Sequence, residues 1–157
     1  FEESKTRPMG RNASGVRGIR LKDNKDEVVG MISVNDMDAN ILVVSENGYG
    51  KRSSLEDYRL TNRGGKGVKT ISITSKTGQL VSLKSVTDSD DLMIINKSGI
   101  AIRMQVADLR VMGRATQGVK VISIKDGDGI AAVAKVMNDE EEIEDINDIE
   151  FTGDTIK

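Results

Sequence analysis

Gly67-Val68-Lys69-Thr70-Ile71-Ser72-Ile73 decides the reading of this chain, because degenerate copies of it stand on both sides. Gly15-Val16-Arg17-Gly18-Ile19-Arg20-Leu21 lies 52 residues earlier, and Gly118-Val119-Lys120-Val121-Ile122-Ser123-Ile124 lies 51 residues later. Two further anchors keep the same register. Val43-Val44-Ser45-Glu46-Asn47-Gly48 matches Ile94-Ile95-Asn96-Lys97-Ser98-Gly99, and Met9-Gly10-Arg11, Thr61-Asn62-Arg63 and Met112-Gly113-Arg114 precede the three Gly-Val pairs. A period near fifty residues held by separate anchors marks a repeat protein.

Each repeat reads as four short strands. In the middle copy, Lys69, Ile71 and Ile73 alternate with Thr70, Ser72 and Thr74, the period of a half-buried strand. Gly78 then turns the chain into Leu80–Val86. The run Leu92–Ile95 is continuously apolar, as an inner strand is, and Lys97-Ser98-Gly99 is a hairpin turn leading into Ile100–Val106. The first copy follows the same order through Ile19–Leu21, Val28–Val34, Ile41–Val44 and Tyr49–Ser54. No window has both helical periodicity and the length of a stable helix. The fold class is therefore all-β, a propeller-like array of four-stranded blades, about three in this chain.

The third copy offers only Val119–Lys125 and Ile130–Val136, and Phe1–Arg7 aligns with a repeat end, Arg7 falling opposite Arg59 and Arg110. Such half-units, and a start at Phe1 without Met, predict part of a longer array. Blades should occupy residues 1–137, with repeat starts near Gly15, Gly67 and Gly118. Residues 138–157 form an acidic tail, expected to be disordered because Ile143, Ile146 and Ile149 bury too little. Their spacing leaves a marginal amphipathic helix as the alternative.

Composition narrows the chemistry. The 157 residues are 37% apolar and 31% charged, too polar for a membrane protein, and no stretch reaches 18 consecutive apolar residues. Zero Cys excludes disulfides and Cys-ligated zinc and suits a cytoplasmic protein. Zero His removes the usual general base and metal ligand, which argues against catalysis by this chain. No catalytic residue, metal site or cofactor is expected. The net charge of −2 conceals an asymmetry: residues 1–137 carry +6, residues 138–157 carry −8. A basic body with an acidic end points to nucleic-acid electrostatics.

The candidate binding residues are bases near the repeat starts. Arg11, Arg63 and Arg114 occupy equivalent positions, as do Arg17, Lys69 and Lys120. A base at one place in every blade would form a belt that follows a sugar–phosphate backbone without reading sequence. The competing reading makes the arginines braces that donate to carbonyls inside the array. Arg20, Lys51, Arg52, Lys66 and Arg103 are less regular candidates, for which a solvated surface competes with phosphate contact. Asn62-Arg63-Gly64-Gly65-Lys66-Gly67 is a glycine-rich turn whose amides could approach a phosphate, yet it lacks P-loop spacing. Asp36 with Asp38, and Asp126 with Asp128, read as hairpin turns rather than calcium loops. Tyr49 and Tyr58 fit strand positions, and the seven Met read as core filler.

The run from Arg7 to Leu21, with Asn47-Gly48-Tyr49-Gly50-Lys51-Arg52 and Met112-Gly113-Arg114-Ala115-Thr116-Gln117-Gly118-Val119, resembles the C-terminal domains of gyrase A subunits and related topoisomerase IV subunits. The resemblance covers residues 1–137 in order. It implies a β-pinwheel, a spiral propeller whose blades exchange strands, with duplex DNA wrapped on a basic rim in support of negative supercoiling. It also implies a cytoplasmic, nucleoid-associated protein partnered by the gyrase B subunit, together with the remainder of its own gyrase A chain. In that reading the enzyme is an ATP-dependent type II topoisomerase whose catalytic residues lie elsewhere. The family's box, Gln-Arg-Arg-Gly-Gly-Lys/Arg-Gly, lies in its first blade; Thr61-Asn62-Arg63-Gly64-Gly65-Lys66-Gly67 matches five of its seven positions and reads as a degenerate copy. A topoisomerase IV domain and a protein-interaction platform are the alternatives.

Overall fold

The computed structural model describes residues 1–136, so the expectations for the acidic tail lie outside the described residues. Seven strands are present: β1 (Asn40–Ser45), β2 (Tyr49–Ser54), β3 (Leu80–Val86), β4 (Asp91–Asn96), β5 (Ala101–Gln105), β6 (Val119–Lys120) and β7 (Ile130–Val136). They form two antiparallel sheets, ordered β3-β1-β2-β6 and β5-β4-β7. The repeat period carries β1 onto β4, β2 onto β5 and β3 onto β7. Register follows it: Asn40 pairs with Ser54 and Val86, and Asp91 pairs with Gln105 and Val136. Even the irregularity at Val44/Ser45 recurs at Ile95/Asn96.

Sheets and repeats do not coincide. The first sheet takes β1 and β2 from the first repeat, β3 from the second and β6 from the third. This exchange ties successive repeats together through backbone hydrogen bonds. Both hairpins turn at a glycine in the left-handed region, Gly48 (φ 77°) and Gly99 (φ 86°), where a side chain would be strained.

The apolar runs are explained by burial on two faces. Leu42 and Val44 of β1 enter a core shared with Val86, Leu92, Ile94, Ile130 and Val133, so the two sheets pack on each other. Ile41 and Val43 alternate to the opposite face and meet Ile71, flanked by Leu55, Tyr58, Leu80 and Leu83. Each such side chain, fully withdrawn from water, contributes about 1.5–3 kcal/mol.

The expected first strands are the main correction. Ile19–Leu21 and 69–73 are not strands, and the third copy keeps only Val119–Lys120. These segments instead touch the turn of the next repeat through one or two backbone bonds, Gly64 N–H to Gly18 O and Arg20 N–H to Gly65 O, each at 2.8 Å, at the first joint, and Ser72 N–H to Thr116 O at 3.2 Å at the second. Contacts this few do not extend into a strand ladder. Val28–Val34 is likewise unpaired; its equivalents β3 and β7 pair with the preceding repeat, and no such strand precedes it among the described residues. Tyr58 follows a single 3-10 turn, Leu55–Asp57, rather than occupying a strand, and its hydroxyl meets that of Thr70. Among the described residues no helix is long and apolar enough to cross a membrane.

Candidate nucleic-acid interface

The joints between repeats position the bases. At the first joint, Gly64 N–H donates to Gly18 O at 2.8 Å and Arg63 Nη1 donates to Arg17 O at 2.7 Å. At the second, Arg114 Nη1 donates to Lys69 O and its Nε to Asp57 O. Arg63 and Arg114 therefore make the same bond one period apart, each to the carbonyl of the residue whose side chain is the repeating base of the preceding repeat. They are half-buried braces. The arginines differ at one atom: Arg114 Nε donates to Asp57 O, whereas Arg63 Nε is enclosed without a partner among the described residues.

Lys51 and Arg52 require a correction, since both are turned inward on β2. Lys51 is fully buried, and its ammonium donates to Gly113 O at 2.6 Å, to Arg114 O and to Thr116 Oγ1 at 3.2 Å. Burial pushes its pKa down, with Asp57 opposing and Arg114 reinforcing that shift. Arg52 is 6% exposed, donating from Nε to Leu109 O and pairing with Asp88. Strand alternation would turn one of two neighbours outward. Here the segment leading into the third repeat pairs along the edge of β2, with Met112 N–H on Arg52 O at 2.8 Å, and its carbonyls capture both side chains, Lys51 at Gly113 and Arg52 at Leu109. Neither side chain faces solvent as expected.

The remaining candidates do face solvent. Arg11, Arg17, Arg20, Lys66, Lys69 and Lys120 are all exposed. Arg103, the repeat equivalent of Arg52, is exposed and ion-paired to Asp91 at 2.7 Å. Arg17, Lys69 and Lys120 come from equivalent positions of the three repeats, Arg17 and Lys69 at braced joints and Lys120 in β6. The glycine-rich turn adds Lys66, with Gly64 and Gly67 both near φ 76°. No group of three or more carboxylates suited to a metal ion exists among the described residues. Asp128 instead ties hairpins together, accepting from Gly129 N–H at 2.8 Å and Ser98 Oγ at 2.8 Å.

Sequence reasoning missed two exposed bases near Lys120. Lys76 lies with its ammonium 5.3 Å from the centre of the Tyr49 ring, and Lys125 lines the same cleft. They share no repeat position, so no periodic signal marks them. The strand pair Tyr49–Lys120, with Asn47 holding the Lys76 loop, brings them to one place.

The family model for the DNA gyrase C-terminal domain, a β-propeller, matches residues 1–35, 39–87 and 90–137. The DNA gyrase A protein of Staphylococcus aureus strain MRSA252 is 51% identical over 144 residues, covering 90% of this chain and 16% of that protein. Its counterpart from strain NCTC 8325 is 50% identical over the same shares. A solved DNA gyrase A C-terminal domain aligns with TM-score 0.77 at 29% identity, over 86% of this chain and 45% of that one. The C-terminal domain of DNA topoisomerase IV aligns with TM-score 0.80 at 23% identity, over 94% and 46%, a likeness of fold. The chain thus spans a small part of those gyrase proteins and about half of each solved domain.

Proposed function

From the premise that this chain belongs to the DNA gyrase C-terminal domain family, a β-pinwheel, we propose that it is a DNA-binding and DNA-wrapping module of gyrase A. It acts through sequence-independent backbone contacts that support negative supercoiling. The observation that carries the reading is the recurrence of exposed Arg17, Lys69 and Lys120 at equivalent positions of the three repeats, with an exposed Lys66 in the turn before Lys69. Evenly repeated cations match the evenly repeated charge of a duplex, whose curvature they follow. Had most of Arg17, Arg63, Lys66, Lys69, Arg114 and Lys120 been buried on carbonyls, the interaction-platform reading would lead. Four of the six are exposed and two are braces.

The chain itself performs no chemistry in this reading. Its partners are duplex DNA, the gyrase B subunit and the remainder of gyrase A, in the bacterial cytoplasm. Identity of about half its residues to gyrase A proteins favours gyrase over topoisomerase IV. Residues 1–137 constitute the blade unit and 138–157 a separate acidic segment.

Duplex binding over a range of salt, on linear DNA and minicircles, tests the proposal. Affinity should vary little with sequence and fall with a slope of about −0.9 per neutralised phosphate. Changing Arg17, Lys66, Lys69 and Lys120 together to Gln should flatten the slope by roughly 3–4 units, and minicircles should bind tighter than linear DNA. Sequence-selective binding with a flat salt response would refute it.

A further inference from the structure

The cleft beside the β1–β2 hairpin is lined by Asn47, Tyr49, Lys76, Lys120, Lys125 and the Asp126–Asp128 turn. Its walls come from three repeats. Tyr49 belongs to the first, Lys76 to the second, and Lys120 and Lys125 to the third. The geometry is fixed by backbone rather than by the lysines themselves. Asn47 Nδ2 donates to Ser75 O and Lys76 O, each at 3.2 Å, holding the loop that carries Lys76. Gly48 O accepts from Val121 N–H at 2.8 Å, holding the segment that carries Lys120. A Cβ at Gly48 would stand 2.5 Å from Ile122 O, so only glycine permits this approach.

Tyr49 and Lys120 are directly opposed across β2 and β6, which turns their side chains to one face. Lys76 approaches the Tyr49 ring, where the ring's negative face attracts its ammonium. Among the described residues, none of the three ammonium groups is ion-paired, and the Tyr49 hydroxyl has no hydrogen-bond partner. The acids at the rim are Asp126 and Asp128. Asp128 is engaged by Asn96, Ser98 and Gly129 and points its charge into those bonds. The cleft therefore gathers three cations and one hydroxyl donor at a volume of about 280 Å³, room for a phosphate with its adjoining sugar.

The repeat supplies an internal comparison. One period later, Asn47, Tyr49 and Lys76 become Ser98, Ile100 and Gly127. Those three positions carry neither aromatic ring nor base, and the base of that hairpin, Lys97, is paired with Glu46. The cleft is a feature of one hairpin, beyond the belt that every joint repeats.

We propose that Tyr49, Lys76, Lys120 and Lys125 form a seat for one phosphodiester of duplex DNA. It fixes where the duplex crosses the first sheet, while the other periodic bases, Arg17 and Lys69, fix only its direction. The inference rests on the DNA-binding reading above.

The test uses Lys76→Gln with Lys125→Gln, two exposed side chains outside both cores, and Lys22→Gln with Lys25→Gln as an equal charge change elsewhere. Tyr49→Phe removes the hydroxyl and keeps the ring. Duplex binding is measured at several salt concentrations beside thermal unfolding. The cleft pair should weaken low-salt binding about 3–10-fold and flatten the slope by about one unit, with an unchanged melting temperature. The control pair should do less than half of this, and Tyr49→Phe should weaken binding without changing the slope. Parent-like binding by the cleft pair, or an equal loss in the control, overturns the seat while leaving the DNA reading intact. A parent chain that does not bind DNA overturns both. Inorganic phosphate added at constant ionic strength should not displace DNA below roughly millimolar concentration; displacement there would reassign the cleft to free phosphate.

Discussion

Replacing Lys51 by Met separates a brace from a DNA ligand. The ammonium is fully buried and donates to three oxygens, so its removal has a calculable cost. Gly113 O keeps Thr116 Oγ1–H as a donor at 3.0 Å, and the threonine hydroxyl keeps that bond. Arg114 O alone loses its donor, which costs about 1–3 kcal/mol. Against this, Met has similar length and carries no charge whose hydration must be stripped, a saving that offsets part of the loss. The net expectation is destabilisation of about 1–2 kcal/mol. Lys51→Ala also leaves a cavity and should cost about 2–5 kcal/mol.

Urea unfolding followed by circular dichroism measures both variants, and DNA titration against salt is run on each. Because Lys51 reaches no phosphate, Lys51→Met should leave the salt slope of the parent unchanged. The pH response has a defined sign. The folded pKa lies below the unfolded one, so the unfolded chain binds the proton more tightly between the two values. The parent should therefore gain stability relative to Lys51→Met as pH climbs toward about 10. A Lys51→Met variant as stable as the parent, with the slope flattened by one unit, would refute the brace.

Gly118→Ala should unfold the β2–β6 junction: φ is 82° and the new Cβ would lie 2.6 Å from Gly50 O. Its cost should exceed that of Gly99→Ala, where φ is 86° but the space is open and only about 1–2 kcal/mol of backbone strain is added; equal melting temperatures for the two would contradict the close approach. Acid should destabilise the chain from about pH 4 downward, because three carboxyls are held below their usual range: Glu46 by Lys97, Asp128 by Gly129 and Ser98, and Asp90 where hydrogen bonds from Thr87 and Lys135 outweigh burial. Their stabilisation is present above the unfolded pKa and is lost as pH falls through the folded one, so Lys97→Ala should shallow the urea-midpoint profile between about pH 5 and 2. Truncation after Met137 removes a charge of −8 from a body of +6 and should tighten DNA binding at low salt, the gain shrinking as the Debye length falls. Neutralising the same acids with Gln and Asn should match truncation, and parent-like binding by both would dismiss competition by the tail.

Much of the fold is legible in the sequence because burial and repetition coincide there. Leu80–Val86 and Tyr49–Ser54 are strands at their expected limits, and the two hairpin glycines sit where the anchors repeat. The first strand of each repeat departs from expectation for a physical reason. Of the alternating Lys69, Ile71 and Ile73, only Ile71 meets a core, being 4% exposed while Ile73 is 44% exposed, so the alternation marks a chain passing over the core at one point. It does not record whether a neighbouring backbone offers a ladder, and the neighbour here is the turn at Ala115 and Thr116. The site is legible only as charge. Repetition locates Arg17, Lys69 and Lys120, but nothing local distinguishes the exposed Lys66 from the buried Lys51, whose fate depends on a segment about sixty residues away in the chain.

That dependence joins the two kinds of base into one device. Arg63 and Arg114 bind the carbonyls of Arg17 and Lys69, residues whose own side chains are the exposed cations. Each brace therefore fixes the backbone from which a binding cation extends. A ligand with evenly spaced charge requires cations at constant spacing, and constant spacing requires that each joint adopt the same geometry. An inward arginine at each joint meets that requirement with a planar fork of fixed shape, which a lysine's flexible point charge does not. Loss of a brace would then weaken DNA binding by displacing a neighbour's charge rather than by removing a contact. The salt slope counts contacts and the melting temperature reports the joint, so the two measurements together assign each base to its role.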